Sequence, residues 1–423
     1  MKRIITWKAV EDILYSEILG NEHENHEKII NTLGKRFTTY GYKRIKTSAF
    51  EQYDLYSNVR TSINQNEMIK VIDYTGEVLV LRPDVTIPLT QQLVQLHDNL
   101  PEEMRYYYVQ EVFRQTFQES ERIGKTQAGV EFYCKSSPAS DAETIMLACH
   151  ALRDVGFSDV KIEIGYAGFF NELIADSDIT VEQTAELKTL IQAKNVVEIG
   201  PFLQRLSIDS SIKEVLEQLP LLYGAPEVVF ERLQNLQVSE SAQRAIDYLQ
   251  QTCNIVELYG LKKHIVIDLG LINHMGYYSG IIFQGYVENF GKPVLMGGRY
   301  DALSEEFGVK LPAIGFACEI ESLVKASSNK GQKERYSIDV TVLYEESRIK
   351  YAIDITNELR ERDYRVISKP MGEAEYMTDS LYTIQLTEQQ NKLVDQQEAK
   401  EFIDFKQLLD FIASKKGVPE WII

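Results

Sequence analysis

Residues Arg105–Glu131 read RYYYVQEVFRQTFQESERIGKTQAGVE, and the fold is decided here. Tyr106, Tyr107, Tyr108, Val109, Val112 and Phe113 are aromatic or β-branched and predict a buried strand. A polar loop with Arg122, Gly124 and Lys125 follows, and Ala128-Gly-Val-Glu-Phe-Tyr returns as a second apolar run. Strand, long loop and strand predict an antiparallel pair whose loop reaches over a site. Arg114 ends the first strand and Glu131 sits inside the second, so two charges are placed where charge is expensive to bury. On these residues alone, a surface arginine and a strand-edge glutamate fit as well as a ligand site.

Phe113-Arg114 opens the loop and Gln127-Ala128-Gly129-Val130-Glu131 closes it. This pattern resembles motif 2 of class II aminoacyl-tRNA synthetases, the histidyl enzymes most of all. Upstream, Ile29, Ile30, Leu33, Phe37 and Tyr40 recur at helical spacing, with Gly41 as a C-terminal cap. Residues 42–51 then alternate like one strand. Helix, glycine and strand resemble motif 1, the dimer-forming element of that family, although its proline is here Ser48. The resemblance implies a homodimer through this face.

Farther along, Ile69–Tyr74 and Glu77–Leu81 predict a hairpin turning at Thr75-Gly76. It delivers Leu81-Arg-Pro-Asp-Val-Thr86, which resembles the histidyl family's Leu-Arg-Pro-Glu-x-Thr, with Asp84 on a shorter arm. On extended backbone Asp84 and Thr86 point the same way and can accept two hydrogen bonds from one ammonium group. From about residue 169 to 251, helix formers without strand alternation predict an inserted helical subdomain, which the histidyl family also carries. Residues 326–335 are polar and predict a linker. It separates a synthetase-like domain, 1–325, from a small α/β domain, 336–423, in which strands alternate with helices. The fold class expected is α+β: a class II synthetase-like antiparallel sheet flanked by helices, with the helical insertion and the α/β domain appended.

The resemblance also implies a histidine-binding set. Asp84, Thr86 and Gln127 match positions that hold the α-amino group, and Arg114 offers a planar fork to the carboxylate. Glu131 and Tyr278 match residues that contact the imidazole, Tyr277 belongs to the same set, and Tyr300 in Gly-Gly-Arg-Tyr-Asp flanks the ring. The nucleotide half departs from the family in three places. Thr116 stands for an acid at the adenine end, Asn273 for the arginine that stabilises the transition state, and Ser322 for the arginine of motif 3. Arg122 is a weak match to a phosphate-binding arginine, and His274 reads as a packing residue rather than a base. One lost charge-stabilising group lowers a rate by ~10²–10³, so the expectation is no catalytic residue and no histidine-dependent ATP–pyrophosphate exchange.

Composition bounds the rest. A chain of 423 residues exceeds one ordinary domain. The net charge of −18 disfavours a general nucleic-acid binder. Residues 335–423 hold 12 Lys/Arg against 17 Asp/Glu, which suits an anticodon-binding surface poorly. Cys134, Cys149, Cys253 and Cys318 are scattered without a CxxC pair, so no disulfide framework and no metal are expected, and a cytoplasmic location is. No run approaches the ~20 apolar residues of a membrane span.

A chain similar to histidyl-tRNA synthetase that keeps the histidine pocket and loses the ATP pocket resembles the regulatory subunits of ATP phosphoribosyltransferase. That family implies a non-catalytic subunit, a short-form catalytic partner in the first step of histidine biosynthesis, and histidine as effector without any cofactor. A divergent histidyl-tRNA synthetase and a synthetase-like tRNA-binding regulator stay open on the residues alone.

Overall fold

The computed structural model describes residues 21–57, 59, 63–96, 101–115, 124–175, 177–272, 278–328, 338–372, 380–395 and 398–413. Contacts divide the chain into two compact units, Met1–Lys330 and Gly331–Ile423.

In the first unit, helix α1 (Asn21–Thr39) ends where Gly41 takes φ +82°, with Gly41 N–H donating to Thr38 O and Tyr42 N–H to Phe37 O. The single strand expected at 42–51 is instead two short ones. Strand β1 (Lys43–Arg44) joins one sheet and β2 (Phe50–Gln52) another. Arg82 explains the break. Its buried guanidinium donates to Thr47 O (3.1 Å) and Ser48 O (2.6 Å), carbonyls that a continuous ladder would otherwise have to satisfy, and to Glu111 O (2.8 Å). Strands β3 (Lys70–Ile72) and β4 (Val78–Leu81) form the expected hairpin. Asp73 Oδ1 accepts the N–H groups of Thr75 and Glu77 at its turn, and Gly76 supplies φ +90°.

Helix α2 (Thr86–Gln95) leads to β5 (Met104–Phe113), which pairs antiparallel with β6 (Gly124–Tyr133) from Met104↔Tyr133 to Phe113↔Gly124. After α3 (Pro138–Asp154) and β7 (Val160–Tyr166) comes the helical insertion. Its described helices run from α4 (Ala167–Ile174) to α9 (Glu240–Leu258), wider than the expected 169–251. It is not wholly helical: β8 (Tyr223–Gly224) pairs with β9 (Ile265–Asp268) at the sheet's far edge. Strands β10 (Ile281–Val287), β11 (Leu295–Arg299) and β12 (Ala313–Glu319) complete a nine-stranded, mostly antiparallel sheet. Its order is β1-β5-β6-β12-β11-β10-β7-β9-β8.

The sheet has a helix-covered face and a pocket face, because strand side chains alternate. Ala128, Val130 and Phe132 of β6 share a buried core with Leu33 and Phe37 of α1 and with Ile145 and Ala148 of α3. Gln127 and Glu131, which alternate with them along β6, line the pocket on the other side. Helix α10 (Ile320–Ser328) follows β12 and takes in the first three residues of the expected linker. Ala326 and Ser327 are buried, and the Ser327 and Ser328 hydroxyls donate to Val324 O, so small polar residues continue the helix here. The remainder of that linker lies outside the described residues.

In the second unit, β13 (Ile338–Tyr344) runs parallel to β14 (Val366–Pro370) and to β15 (Ser380–Leu386). Two short antiparallel strands not anticipated from the sequence, β16 (Asn391–Val394) and β17 (Ala399–Glu401), extend the sheet. Helices α11 (Ile349–Arg360) and α12 (Phe405–Ala413) supply Ile355, Leu359, Leu408 and Ile412 to a core with Val340 and Ile384. No helix among the described residues is long and apolar enough to cross a membrane.

Candidate functional site

The pocket rests on missing side chains. Tyr106, Glu131, Gly315 and Gly298 lie in register across β5, β6, β12 and β11. A Cβ at Gly315 would collide with Glu131 Oε2 and Val130 O, and one at Gly298 would come within 2.7 Å of the Tyr278 ring. Glycine in a central strand weakens it and marks a close approach; here it lets Glu131 and Tyr278 lie flat over the sheet. The result is a cavity of about 170 Å³, below the ~300–1,000 Å³ usual for drug-sized ligands. Asp84, Thr86, Arg114, Gln127, Glu131, Tyr278 and Tyr300 all line it. Tyr277, Thr116, Asn273, His274 and Arg122 lie outside the described residues.

Glu131 is the chemical centre. It is 2% exposed and accepts hydrogen bonds from Thr86 Oγ1 at 2.5 Å and from the Tyr300 hydroxyl. Burial pushes its acid up to about 8 against the pull of those two hydroxyls, and the neighbouring Asp84 charge adds to the rise. Asp84 is also raised by burial, countered by the Ile87 N–H, which donates to its Oδ1 at 2.7 Å, and by the Arg114 charge. Arg114 is itself tied down, donating Nε–H to Pro83 O at 2.8 Å.

The expected geometry of Asp84 and Thr86 needs correction. Val85 is in the α region and Thr86 is the first residue of α2, so the two side chains do not share an extended backbone. Asp84 takes the helix-capping N–H of Ile87, while Thr86 gives its proton to Glu131 and keeps only lone pairs for a ligand.

The Gly-Gly-Arg-Tyr-Asp segment divides its work between faces. Tyr300 enters the pocket, whereas Arg299, buried on the helix side, donates to Asp141 Oδ1 (Nε, 2.8 Å), Ser140 Oγ (2.9 Å) and Asp301 Oδ1 (3.0 Å). Asp141 also accepts from Tyr248 of α9 at 3.0 Å. A buried, fully hydrogen-bonded pair of this kind fixes β11 against α3, and removing either partner would strand a charge.

At the other end of the pocket stands Glu319. Ser322, in the first turn of α10, donates to Glu319 Oε1 at 2.8 Å, and Lys125 Nζ lies 3.3 Å from Oε2. Both oxygens of Glu321 accept the Thr126 N–H, at 3.0 and 3.1 Å. Where the family resemblance called for an arginine, a hydroxyl therefore turns toward a carboxylate. Glu319 and Tyr108 were not anticipated as pocket residues. Tyr108 could have been found from the register, since it shares the alternation of Tyr106, which faces Glu131 across the pair.

Residues 15–323 match the sequence profile of the histidyl-tRNA synthetase family. An ATP phosphoribosyltransferase regulatory subunit from Oceanobacillus iheyensis is 42% identical over 342 residues, covering 81% of this chain and 84% of that one. A crystal structure described as an ATP phosphoribosyltransferase regulatory subunit/histidyl-tRNA synthetase from Bacillus halodurans superposes with a TM-score of 0.74 at 26% identity, covering 86% of this chain and 94% of that one. Histidyl-tRNA synthetase from Nostoc sp. PCC 7120 shares the fold, with a TM-score of 0.77 at 20% identity over 93% of this chain and 96% of that one. On the profile match and the 42% identity, the chain belongs to the ATP phosphoribosyltransferase regulatory subunits, built on the histidyl-tRNA synthetase fold.

Proposed function

We propose that this chain is a non-catalytic subunit that assembles with a short-form ATP phosphoribosyltransferase catalytic subunit, supports its activity in the first step of histidine biosynthesis, and binds histidine as a feedback signal. The observation that carries the histidine reading is Glu131: a fully buried carboxylate, hydrogen-bonded by neutral hydroxyls, beside a second buried carboxylate in a cavity of amino-acid size. A ligand with an ammonium group and a ring N–H supplies the charge and donors that Arg114, tied to Pro83 O and acting on Asp84, leaves unmet at Glu131. Tyr278 and Tyr300 flank the same space, with Gln127 for the α-amino group and Arg114 for the carboxylate. The lack of catalysis is supported by Ser322, a hydroxyl bonded to Glu319 at the position where the family's adenylation uses an arginine.

Pairing with a second copy of the chain is supported by apolar exposure near the motif 1 segment, where Phe50, Ile72, Tyr74 and Val78 face solvent. Four unpaired cysteines support a cytoplasmic location. Reconstitution with the catalytic subunit tests the reading. Glu131→Gln nearly preserves volume, so the mixture should still co-elute and retain basal activation. Its histidine inhibition curve should move at least ~tenfold higher, as for a lost hydrogen bond to a charged group worth ~1.5–3 kcal/mol. An unchanged curve places feedback on the catalytic partner, and failure of the unmodified chain to activate it rejects the regulatory role.

A further inference from the structure

Helix α1 opens with His23, His26 and Glu27, spaced three and four apart and so gathered on one helix face. One donor atom from each lies within 4.8 Å of the others. The two imidazoles are nearly parallel, 16° apart, with centroids separated by 6.3 Å. His26 is held from behind: its Nε2 is 3.3 Å from Thr126 Oγ1 and 3.8 Å from Glu321 Oε1. Glu321 is itself fixed by the Thr126 N–H. The tautomer that donates Nε2–H to Thr126 Oγ1, with the Glu321 carboxylate beyond it, leaves the lone pair on Nδ1. That Nδ1 is buried and meets no hydrogen-bond partner among the described residues, with Glu27 Oε1 4.0 Å away. An orphaned imidazole lone pair, with a carboxylate behind the opposite ring nitrogen, is how a metal-binding histidine is oriented.

We propose that His23, His26 and Glu27 hold one divalent transition-metal ion, zinc above others, with Glu321 orienting His26 without touching the ion. Zinc takes imidazole and carboxylate donors at ~2.0–2.2 Å, which sets tetrahedral donors about 3.4 Å apart. His23 and Glu27 are exposed, so side-chain rotation closes the remaining gap, and water fills the fourth position. Magnesium and calcium prefer all-oxygen shells and are not served here. The absence of a metal expected from the sequence rested on cysteine spacing, which says nothing about histidines on a helix. All three ligands lie on α1, and His26 joins the site to Thr126 of β6, next to the pocket residue Gln127.

The test is titration of the full chain, free of any affinity tag, with zinc chloride against a competing chromophoric chelator. One zinc per chain is expected. His23→Asn and Glu27→Gln should each weaken binding at least ~tenfold, and Glu321→Gln by ~10–100-fold, while His150→Gln leaves it unchanged. Circular dichroism melts without zinc should match for the His23→Asn, Glu27→Gln and unmodified chains, since both side chains are exposed. Absence of stoichiometric binding, or affinity that survives both His23→Asn and Glu27→Gln, overturns the proposal.

Discussion

The two ends of the pocket treat negative charge in opposite ways. At the β6 end, Asp84 and Glu131 are fully buried, and Glu131 is hydrogen-bonded by two neutral hydroxyls. At the α10 end, Glu319 is about one-third exposed and already matched by Lys125 and Ser322, and Glu321 by the Thr126 amide. A buried acid without a counter-charge is a receptor for a donor or a cation. An acid that is partly solvated and paired has nothing left to recruit and only repels an anion. The same sheet thus carries an unpaired buried acid at one end and a paired, partly solvated one at the other, through burial and pairing rather than through a change of fold. Under the proposed function the first end would take the ligand's ammonium or ring N–H.

The comparison is broken most forcefully at its floor. Gly315→Ala puts a methyl group where the Glu131 carboxylate lies. Overpacking of this kind costs ~1–3 kcal/mol, and if the carboxylate is displaced, histidine affinity should fall ~10–100-fold, each 1.4 kcal/mol being about tenfold. Gly291→Ala, with nothing within 4 Å of its Cβ, should leave affinity unchanged. Calorimetric titration with histidine checks both, and an unaffected Gly315→Ala would show that the ligand does not depend on Glu131 being held over the floor.

The second test uses pH. Burial pushes the Glu131 acid up to about 8 from its ordinary 4.5, so the folded state holds its proton more tightly than the unfolded one. Its contribution to stability is therefore complete below pH ~4.5 and is lost as pH rises through about 8. Over that window the difference is on the order of a few kcal/mol. The melting midpoint of the ligand-free chain should fall between pH 6 and 8.5, and Glu131→Gln should flatten that fall. Asp84, also raised by burial, leaves a residual slope at lower pH. Histidine favours the ionised acid, so binding at pH 7 should release a proton, read from titrations in buffers of different ionisation enthalpy. Equal slopes for both proteins would mean that Glu131 is already charged in the empty pocket, and the contrast between the two ends would vanish.

How much of this was readable beforehand depended on distance along the chain. The β5–β6 pair followed from local alternation, whereas the gathering of Asp84, Gln127, Glu131 and Tyr300 was implied only by the resemblance to the histidyl family. The split of residues 42–51 did not, because it depends on Arg82 reaching carbonyls 34 and 35 residues away. Nor did the start of α2 at Thr86, whose hydroxyl donates its proton to Glu131. Ala326–Ser328 looked like linker because they lack large apolar groups, yet burial of Ala326 needs only a small side chain. Glu319 carries no signal of its own in the sequence, and only the register Glu319↔Gln127 shows that it borders the pocket.

The smallest effect is the sharpest check on the separation of the two ends. Ser322 hydrogen-bonds Glu319, and removing that hydroxyl leaves Glu319 with Lys125 and with solvent. A neutral hydrogen bond is worth ~0.5–1.5 kcal/mol, and hydration recovers most of it at a partly exposed carboxylate. Ser322→Ala should therefore lower stability by less than ~1 kcal/mol and change histidine affinity by less than about twofold. Glu131 lies four residues from Gln127 on β6, and Gln127 pairs directly with Glu319, so the route for coupling is short. If the ends are independent despite that proximity, calorimetry on Ser322→Ala and on Ser322→Ala/Glu131→Gln should give additive changes. Non-additivity beyond ~0.5 kcal/mol would show that the paired end tunes the unpaired one, and the pocket would then have to be treated as a single electrostatic unit.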